Sequence, residues 1–204
     1  VSLLGFEFDG DILLPADLRL RANFAYLDSE FKDAAILDTR QDTGNEAIVN
    51  LDGNMLPNTS KYNLNLALSQ TFDFSNGFIT GVDWTLSGNY RSKYYLSPYN
   101  SRGFDANGAD IPLEDMTVSN HWLITGAGFP EANGNFLKDG VPSTFIVNLN
   151  AGMNMGSNEQ YRVEAWVSNL TGETYSTKAF VNNSVNIRFL NTPRMAGVRF
   201  KASF

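Results

Sequence analysis

The sequence of 204 residues contains no cysteine and only one histidine, His121. Without cysteine the chain can form neither a disulfide framework nor a thiolate metal site. A single histidine also removes most zinc sites and most Ser-His-Asp chemistry, and no nucleophile motif accompanies it. We therefore expect no enzyme activity, no bound metal and no cofactor.

Basic charge is also scarce. The sequence has 15 Lys and Arg residues against 22 Asp and Glu, so its net charge is −7, which argues against nucleic acid as a partner. No apolar run approaches the roughly 18 residues of a membrane helix. Transmembrane strands are compatible with these values, because they need only about ten alternating residues and raise hydropathy little.

What the sequence does contain is a long period-two alternation of apolar and polar residues. The alternating stretches cover about 3–13, 18–32, 61–74, 78–95, 143–155, 160–170 and 194–204. Soluble strands average about five or six residues, whereas strands of this length can cross a bilayer at a tilt. The pattern predicts seven strands, each with one apolar and one polar face.

The connections between these strands alternate between short and long. Short turns are predicted near Leu14–Asp17, Ser75–Gly77 and Gly156–Glu159, and long connections cover about 33–60, 96–142 and 171–193. A compact soluble domain rarely holds a structureless loop of more than about 15 residues, while an outer-membrane barrel has short turns at one end and long loops at the other. A transmembrane barrel is therefore favoured over a soluble β-sandwich.

Aromatic residues cluster near the predicted strand ends, as they do at membrane interfaces. The clusters are Phe72, Phe74 and Phe78 at one short turn, and Tyr26, Tyr62, Tyr90, Tyr94, Tyr95 and Tyr99 near the long connections. We interpret them as two aromatic girdles.

Several motifs resemble the C-terminal barrel end of TonB-dependent outer-membrane receptors. The matching segments are "LDGNMLPNTSKYNLNLALSQ" (51–70), "VEAWVSNLTGETYSTKAF" (163–180) and "NTPRMAGVRFKASF" (191–204). Within the last two, the family pattern corresponds to Asn169-Leu170-Thr171, Glu173, Tyr175, Pro193-Arg194 and the terminal Phe204.

The resemblance implies an all-β fold, a transmembrane antiparallel β-barrel, of which this chain would be one segment. About seven strands would belong to a larger barrel of about 22 strands, with residues 1–204 as its C-terminal part. The plug domain that fills such barrels is absent from this chain. Seven strands alone leave two open edges, and unpaired backbone groups in lipid cost several kcal/mol each, so both edges should pair with a part of the barrel outside this sequence.

The function implied by the resemblance is TonB-dependent uptake of a scarce ligand, an iron chelate, vitamin or oligosaccharide, across the bacterial outer membrane. The implied partners are the remainder of the barrel and the plug, the TonB complex acting through the plug, outer-membrane lipid, the barrel assembly machinery and the imported ligand. A passive porin-like channel is the main alternative, and a soluble β-sandwich binding module is a lesser one.

Candidate ligand-binding residues lie in the loops and the upper lumen, which the family uses for capture. They are Arg91, Lys93, Tyr94, Arg102, His121 and Trp122. The resemblance also implies that Phe200 and Phe204 serve as the signal read by the assembly machinery. The polar faces carry a mixed-charge inner wall that would contact the plug and steer a charged substrate, or simply keep the lumen wet: Arg19, Arg21, Asp83, Arg91, Lys93, Arg162, Glu164, Arg199 and Lys201.

Overall fold

The computed structural model describes residues 1–38, 48–104, 108–111, 139–182 and 185–203, and these residues form strands and turns. The strands are β1 (Ser2–Leu14), β2 (Leu18–Glu30), β3 (Ala35–Leu37), β4 (Ile48–Asn50), β5 (Tyr62–Asp73), β6 (Ile79–Arg91), β7 (Tyr94–Tyr95), β8 (Gly103–Phe104), β9 (Asp110–Ile111), β10 (Gly140–Val141), β11 (Thr144–Met155), β12 (Tyr161–Ser168), β13 (Ser176–Asn182), β14 (Val185–Leu190) and β15 (Met195–Ala202). None of the described residues forms a helix long and apolar enough to cross a membrane.

Seven of these strands form one antiparallel sheet, which we call the wall. Its order is β1-β2-β5-β6-β11-β12-β15, so every strand pairs with the neighbouring wall strand in sequence. The seven predicted strands are thereby confirmed, with ends that differ from the predicted ones by a few residues. The sheet does not close on itself, and β1 and β15 are its edges.

The register brings the apolar side chains of all seven strands to one face. Phe8 pairs with Phe24 and Phe24 with Leu64, and the same row continues through Tyr90 to Phe145. This face is open: Phe8 keeps 60% of its surface exposed. Because a soluble sandwich would bury such a face against a second sheet, and no sheet among the described residues covers it, the β-sandwich alternative is wrong.

Tight turns join the wall strands at one end, as predicted. Pro15–Asp17 form a single 3₁₀ turn in which Ala16 and Asp17 adopt left-handed φ angles of 62° and 56°. Gln70 of the neighbouring β5 donates a hydrogen bond from Nε2 to the Ala16 carbonyl at 2.7 Å. Left-handed backbone is costly for alanine, and this contact helps to hold it.

The long connections contain short two-stranded sheets, which pair β3 with β4, β7 with β10, β8 with β9 and β13 with β14. The prediction that the fourth wall strand continues to residue 95 is wrong, because β6 ends at Arg91. The Ser92 N–H still bonds to the wall, at Tyr62 O (2.9 Å). Tyr94 and Tyr95 then pair with Val141 and Gly140, because the aromatic ring of Tyr94 is buried there in apolar contacts.

A bonded junction around Asn169 ends the wall at β12 and starts the β13–β14 hairpin. Asn169 adopts a left-handed φ of 51° and is 4% exposed. Its Nδ2 donates to the carbonyls of Glu173 (2.8 Å) and Thr192 (3.2 Å), and its Oδ1 accepts the Glu173 N–H at 2.9 Å. The Asn-Leu-Thr motif therefore has a structural explanation, since asparagine tolerates this backbone and caps both sides of the hairpin base.

Candidate functional site at the long-loop end and upper lumen

The long connections pack into an ordered layer above the wall, which we call the cap: the described residues of 31–38, 48–60, 92–111 and 139–143. Its first apolar cluster joins Val49 and Leu51, both fully buried, to Tyr99, 6% exposed. Phe31, Ala34 and Ile36 pack around them. Tyr99 was predicted to belong to an aromatic girdle, and its burial shows that this prediction is wrong.

A second apolar cluster consists of Tyr94, Leu96 and Val141, with Tyr175 packed against it. Tyr94 is only 2% exposed, so its place in a girdle is also wrong. Burial raises the pKa of the Tyr94 hydroxyl, although the positive charge of Arg91 opposes this shift. Tyr94 therefore stabilises the cap with its ring.

A buried carboxylate joins the two described ends of the longest connection. Asp139, 4% exposed, accepts hydrogen bonds from the Ser97 N–H (3.1 Å), the Ser97 hydroxyl and the Ser101 hydroxyl (2.6 Å). Ser101 Oγ in turn accepts the N–H groups of Asp139 and Gly140, at 3.1 and 3.2 Å. Since buried polar groups are costly unless bonded, this cluster fixes the base of the connection.

Bonds between different connections complete the cap. Asn100 donates from Nδ2 to Met55 O and accepts the Met55 N–H, at 2.9 and 2.8 Å. Asn54 Nδ2 donates to Pro98 O at 2.9 Å, and the Asn58 N–H donates to Tyr95 O at 2.7 Å. The first and second long connections thus form one unit.

The predicted ligand residue Arg91 lies at the top of the polar face, where its guanidinium is already engaged. It donates to Ser60 Oγ at 3.1 Å and to the Asn58 carbonyl. Its Cζ stacks 3.7 Å from the centre of the Tyr94 ring. Arg91 therefore connects the wall to the cap, and any ligand contact would use its remaining donors.

Two further predicted cations also contact cap residues. Lys93 Nζ lies 4.9 Å from the centre of the Tyr95 ring. Arg102 donates to Asp110 Oδ1 (3.0 Å) and Asn54 Oδ1 (3.0 Å), and also to the Asn50 carbonyl (3.2 Å). The structure therefore stacks Arg91 on Tyr94 and Lys93 on Tyr95, while Arg102 fixes the other side of the cap.

The remaining predicted site residues divide into two groups. His121, Trp122 and Phe204 lie outside the described residues. Phe200 is on the apolar face of β15, 62% exposed, with its ring stacked on Tyr161 at 6.2 Å. An outward ring near the short-turn end is accessible to a folding factor, and its role as an assembly signal stays a prediction.

The predicted inner-wall charges lie on the polar face and are largely paired with one another. Arg162 binds both Asp83 oxygens, at 2.7 and 3.0 Å, and Glu164 at 2.8 Å. Arg199 and Lys201 approach the same Glu164 at 3.3 and 3.7 Å. Three cations meet two carboxylates in this network, so it carries one excess positive charge.

A similar pairing occurs near the β1 edge of the polar face, where two arginines meet one carboxylate. Arg19 Nε donates to Asp11 Oδ1 at 2.7 Å, and Arg21 Nε lies 3.4 Å from Asp11 Oδ2. Opposite charges are thus neighbours across β1 and β2, as cross-strand pairs prefer.

One arrangement that the sequence analysis missed is a row of four polar side chains across four wall strands. Asp9 pairs with Asn23, Asn23 with Asn65, and Asn65 with Asn89. The period-two alternation places each of these asparagines on a polar face, but only the register shows that all lie at one level. We call Asp9, Asn23, Asn65 and Asn89 the asparagine row.

Comparison with known proteins identifies the architecture. The profile of a family described as TonB dependent receptor-like, beta-barrel matches residues 1–170. No curated protein matches the chain in a sequence comparison.

Solved structures share the fold at low identity. The ferric yersiniabactin uptake receptor FyuA from Yersinia pestis superposes on 99% of this chain with a TM-score of 0.62 and 14% identity. BauA, the ferric preacinetobactin receptor, and PiuA, a siderophore receptor, both from Acinetobacter baumannii, each superpose on 97% with a TM-score of 0.58, at 16% and 18% identity.

The chain corresponds to 23%, 21% and 21% of the lengths of these three structures, which explains why its sheet is open. The fold and the family also fix the location, the outer membrane of a Gram-negative bacterium. The chain belongs to the TonB-dependent receptor β-barrel family and forms a segment of a transmembrane barrel wall with its loops.

Proposed function

We propose that this chain is the C-terminal part of a receptor barrel that takes up a ferric siderophore across the outer membrane, with energy supplied through TonB. The chain provides wall and cap, while the plug and the remaining wall strands come from outside the sequence described here. Vitamin and oligosaccharide ligands are secondary candidates, because the similar structures named above are receptors for ferric complexes or siderophores.

The observation that supports this proposal is the combination of an open wall with one exposed apolar face and an ordered cap at one end. The apolar face suits lipid, and the polar face suits a filled or hydrated lumen. An ordered cap at the long-loop end suits capture of a ligand, because binding to a preformed site costs less ordering entropy.

We propose that His121 and Trp122, which lie outside the described residues, contact the ligand, and that Lys93 and the remaining donors of Arg91 do so within the cap. Tyr94 and Arg102 act as positioning residues, since both are engaged in cap contacts. Replacing Arg102 should therefore weaken ligand binding through loss of cap order, and limited proteolysis of the cap should report that loss.

The proposed partners follow from the same architecture. The edges β1 and β15 would pair with other strands of the full barrel, the polar face would contact the plug, and the apolar face would contact lipid. Phe200 and Phe204 would be read by the barrel assembly machinery. Deleting Phe204 should lower the amount of inserted receptor without changing ligand affinity of the receptor that does insert.

Growth under iron limitation tests the proposal. A strain lacking the full-length receptor should lose growth on at least one ferric siderophore, and a strain lacking TonB should lose the same growth with the receptor present. Growth that needs the receptor but not TonB, together with open conductance in planar bilayers, would instead establish a passive porin-like channel.

A further inference from the structure

The asparagine row lies in a depression of the polar face. The depression has a volume of about 490 Å³, and its lining includes Asp9, Asn23, Asn65, Asn89 and Ala67. Ala67 is two residues from Asn65 on the same face, where it pairs with Arg21. Because Ala67 is small, the amides of the row project beside a shallow floor.

The hydrogen bonds along the row have a defined direction. Asn23 Nδ2 donates to Asp9 Oδ1 at 2.6 Å, which leaves the Oδ1 of Asn23 as an acceptor. The Oδ1 of Asn23 then accepts from Asn65 Nδ2 at 3.2 Å. Asn65 Oδ1 is left as an acceptor facing the lumen.

The side-chain amide of Asn89, the last member of the row, is available to a ligand. Among the described residues Asn89 makes no side-chain hydrogen bond, and its side chain is exposed. An amide offers two donors and two acceptor lone pairs. Asn65 and Asn89 together therefore match a ligand group that both donates and accepts, such as an amide, a hydroxyl or a metal-bound hydroxamate with its neighbouring amides.

The charges around the row do not favour a polyanion. The carboxylates of Asp9 and Asp11 line the depression. One cation, Arg21, also lines it and contacts Asp11 through Nε at 3.4 Å, and Arg91 above is engaged by Asn58, Ser60 and Tyr94. The lining thus carries two carboxylates and one cation, so an anionic complex would meet a net negative charge.

The row also lies directly below the cap. Asn65 comes two residues after Asn63, whose Oδ1 accepts the Ser60 hydroxyl at 2.7 Å. Asn89 comes two residues before Arg91, the residue that joins wall and cap. Two residues of strand rise about 7 Å, so a ligand leaving the cap reaches the row after a movement smaller than its own size.

We infer that the asparagine row is a hydrogen-bonding subsite in the upper lumen for the neutral, amide- or hydroxyl-bearing part of the imported ligand. The inference rests on the proposed uptake function and adds the chemical class of the ligand: a neutral ferric complex in preference to a trianionic one.

Equilibrium binding by the full-length receptor in detergent tests this inference. The probes are a neutral ferric trihydroxamate and a trianionic ferric tricatecholate. The test variant is Asn65→Leu combined with Asn89→Leu, which keeps side-chain volume and removes the amides. The control is Asn150→Leu, on the same polar face of β11 but outside the depression.

The wild-type receptor should bind the neutral complex more tightly. The double variant should lose about tenfold in that affinity, as expected for the loss of two ordinary hydrogen bonds, and Asn150→Leu should bind as the wild type does. Unchanged affinity in the double variant, or tighter wild-type binding of the trianion, would overturn the inference.

Two other results separate the inference from the function on which it rests. If the double variant leaves affinity unchanged and opens conductance in planar bilayers, the row contacts the plug, and the inference is wrong while the uptake function stands. If neither probe binds but growth on another ferric siderophore still needs the receptor, the inference alone fails. If no ferric siderophore supports receptor-dependent growth, both fail.

Discussion

The wall and the cap bury hydrophobic side chains in opposite ways. Among the described residues, every buried hydrophobic side chain of the core lies in the cap: Val49, Leu51, Tyr94, Leu96, Tyr99 and Val141. The wall instead exposes its large apolar residues, including Phe6 at 58% and Val198 at 75%. The cap suits an aqueous environment, because its apolar side chains point inward. The wall suits the hydrocarbon of a membrane, because its apolar side chains point outward.

This difference indicates where the stability of each region originates. The cap gains from removing apolar surface from water, about 25 cal/mol per Å². The wall gains little from contacts between its own side chains, and depends on the hydrogen bonds between strands and on hydrocarbon outside. Changes of the same size should therefore have different consequences in the two regions.

The largest expected effect comes from a cavity in the cap. Leu51→Ala removes a fully buried side chain, and such truncations cost about 2–5 kcal/mol. We expect the cap to become protease-sensitive in intact cells while the barrel still inserts and keeps its heat-modifiable mobility on gels. Loss of insertion would show that cap and wall are not separable. Ile48→Ala, at an exposed neighbouring position, is the matched control.

A charge placed on the apolar face of the wall tests whether that face contacts lipid. Leu86→Arg places a cation near the middle of β6 on the outward face, where it costs about 2–4 kcal/mol in lipid. Ser87→Arg, the adjacent residue on the polar face, is the control and should be tolerated. Urea titration of folding into lipid vesicles measures both. Equal effects of the two variants would contradict the assignment of the faces.

An intermediate effect is expected at the junction between the two regions. Asn169→Gly keeps the left-handed backbone and removes the side-chain bonds to Glu173 and Thr192. Each buried group left unpaired costs about 1–3 kcal/mol. Hydrogen exchange should rise in the β13–β14 hairpin and stay unchanged in β11. Asn169→Ala should raise this exchange further, because a φ of 51° is also unfavourable for alanine. If exchange rises equally in β11, the junction stabilises the wall as a whole.

The smallest expected effect concerns the fit between two wall strands. Gly197 pairs with Trp166 on the polar face, and a Cβ at 197 would lie 2.7 Å from the indole. Gly197→Ala should displace the ring at a cost of about 1 kcal/mol, visible as a shift in tryptophan fluorescence and a lower urea midpoint. Adding Trp166→Leu should remove the penalty. A penalty that persists in the double variant would place its cause in the backbone.

The wall could be predicted from the sequence because its strands and their faces are determined by residues close together in sequence. In β5, Leu64, Leu66 and Leu68 alternate with Asn63, Asn65 and Ala67, and a period of two sets both the strand and its faces. The short turns were equally local, since a run such as Ser75-Asn76-Gly77 has few other uses.

The cap could not be predicted, because its contacts join residues far apart in sequence. Met55 and Asn100 are 45 positions apart, and Arg102 and Asn50 are 52 apart. For the same reason Tyr94 was interpreted as a membrane-interface residue: sequence shows that an aromatic follows a strand, but not that Val141 will cover it. The asparagine row could not be predicted, because the register between two strands cannot be read from the sequence of either strand alone.

The bonds between the first and second long connections also imply an order of events during biogenesis. Asn58 donates to Tyr95 across the hairpin of β5 and β6, so this bond requires that the hairpin has already brought its two long-loop ends together. A folded cap therefore shows that the hairpin beneath it has formed. A conformation-specific antibody against the cap should bind folded receptors and should not bind precursors in which this hairpin has not formed.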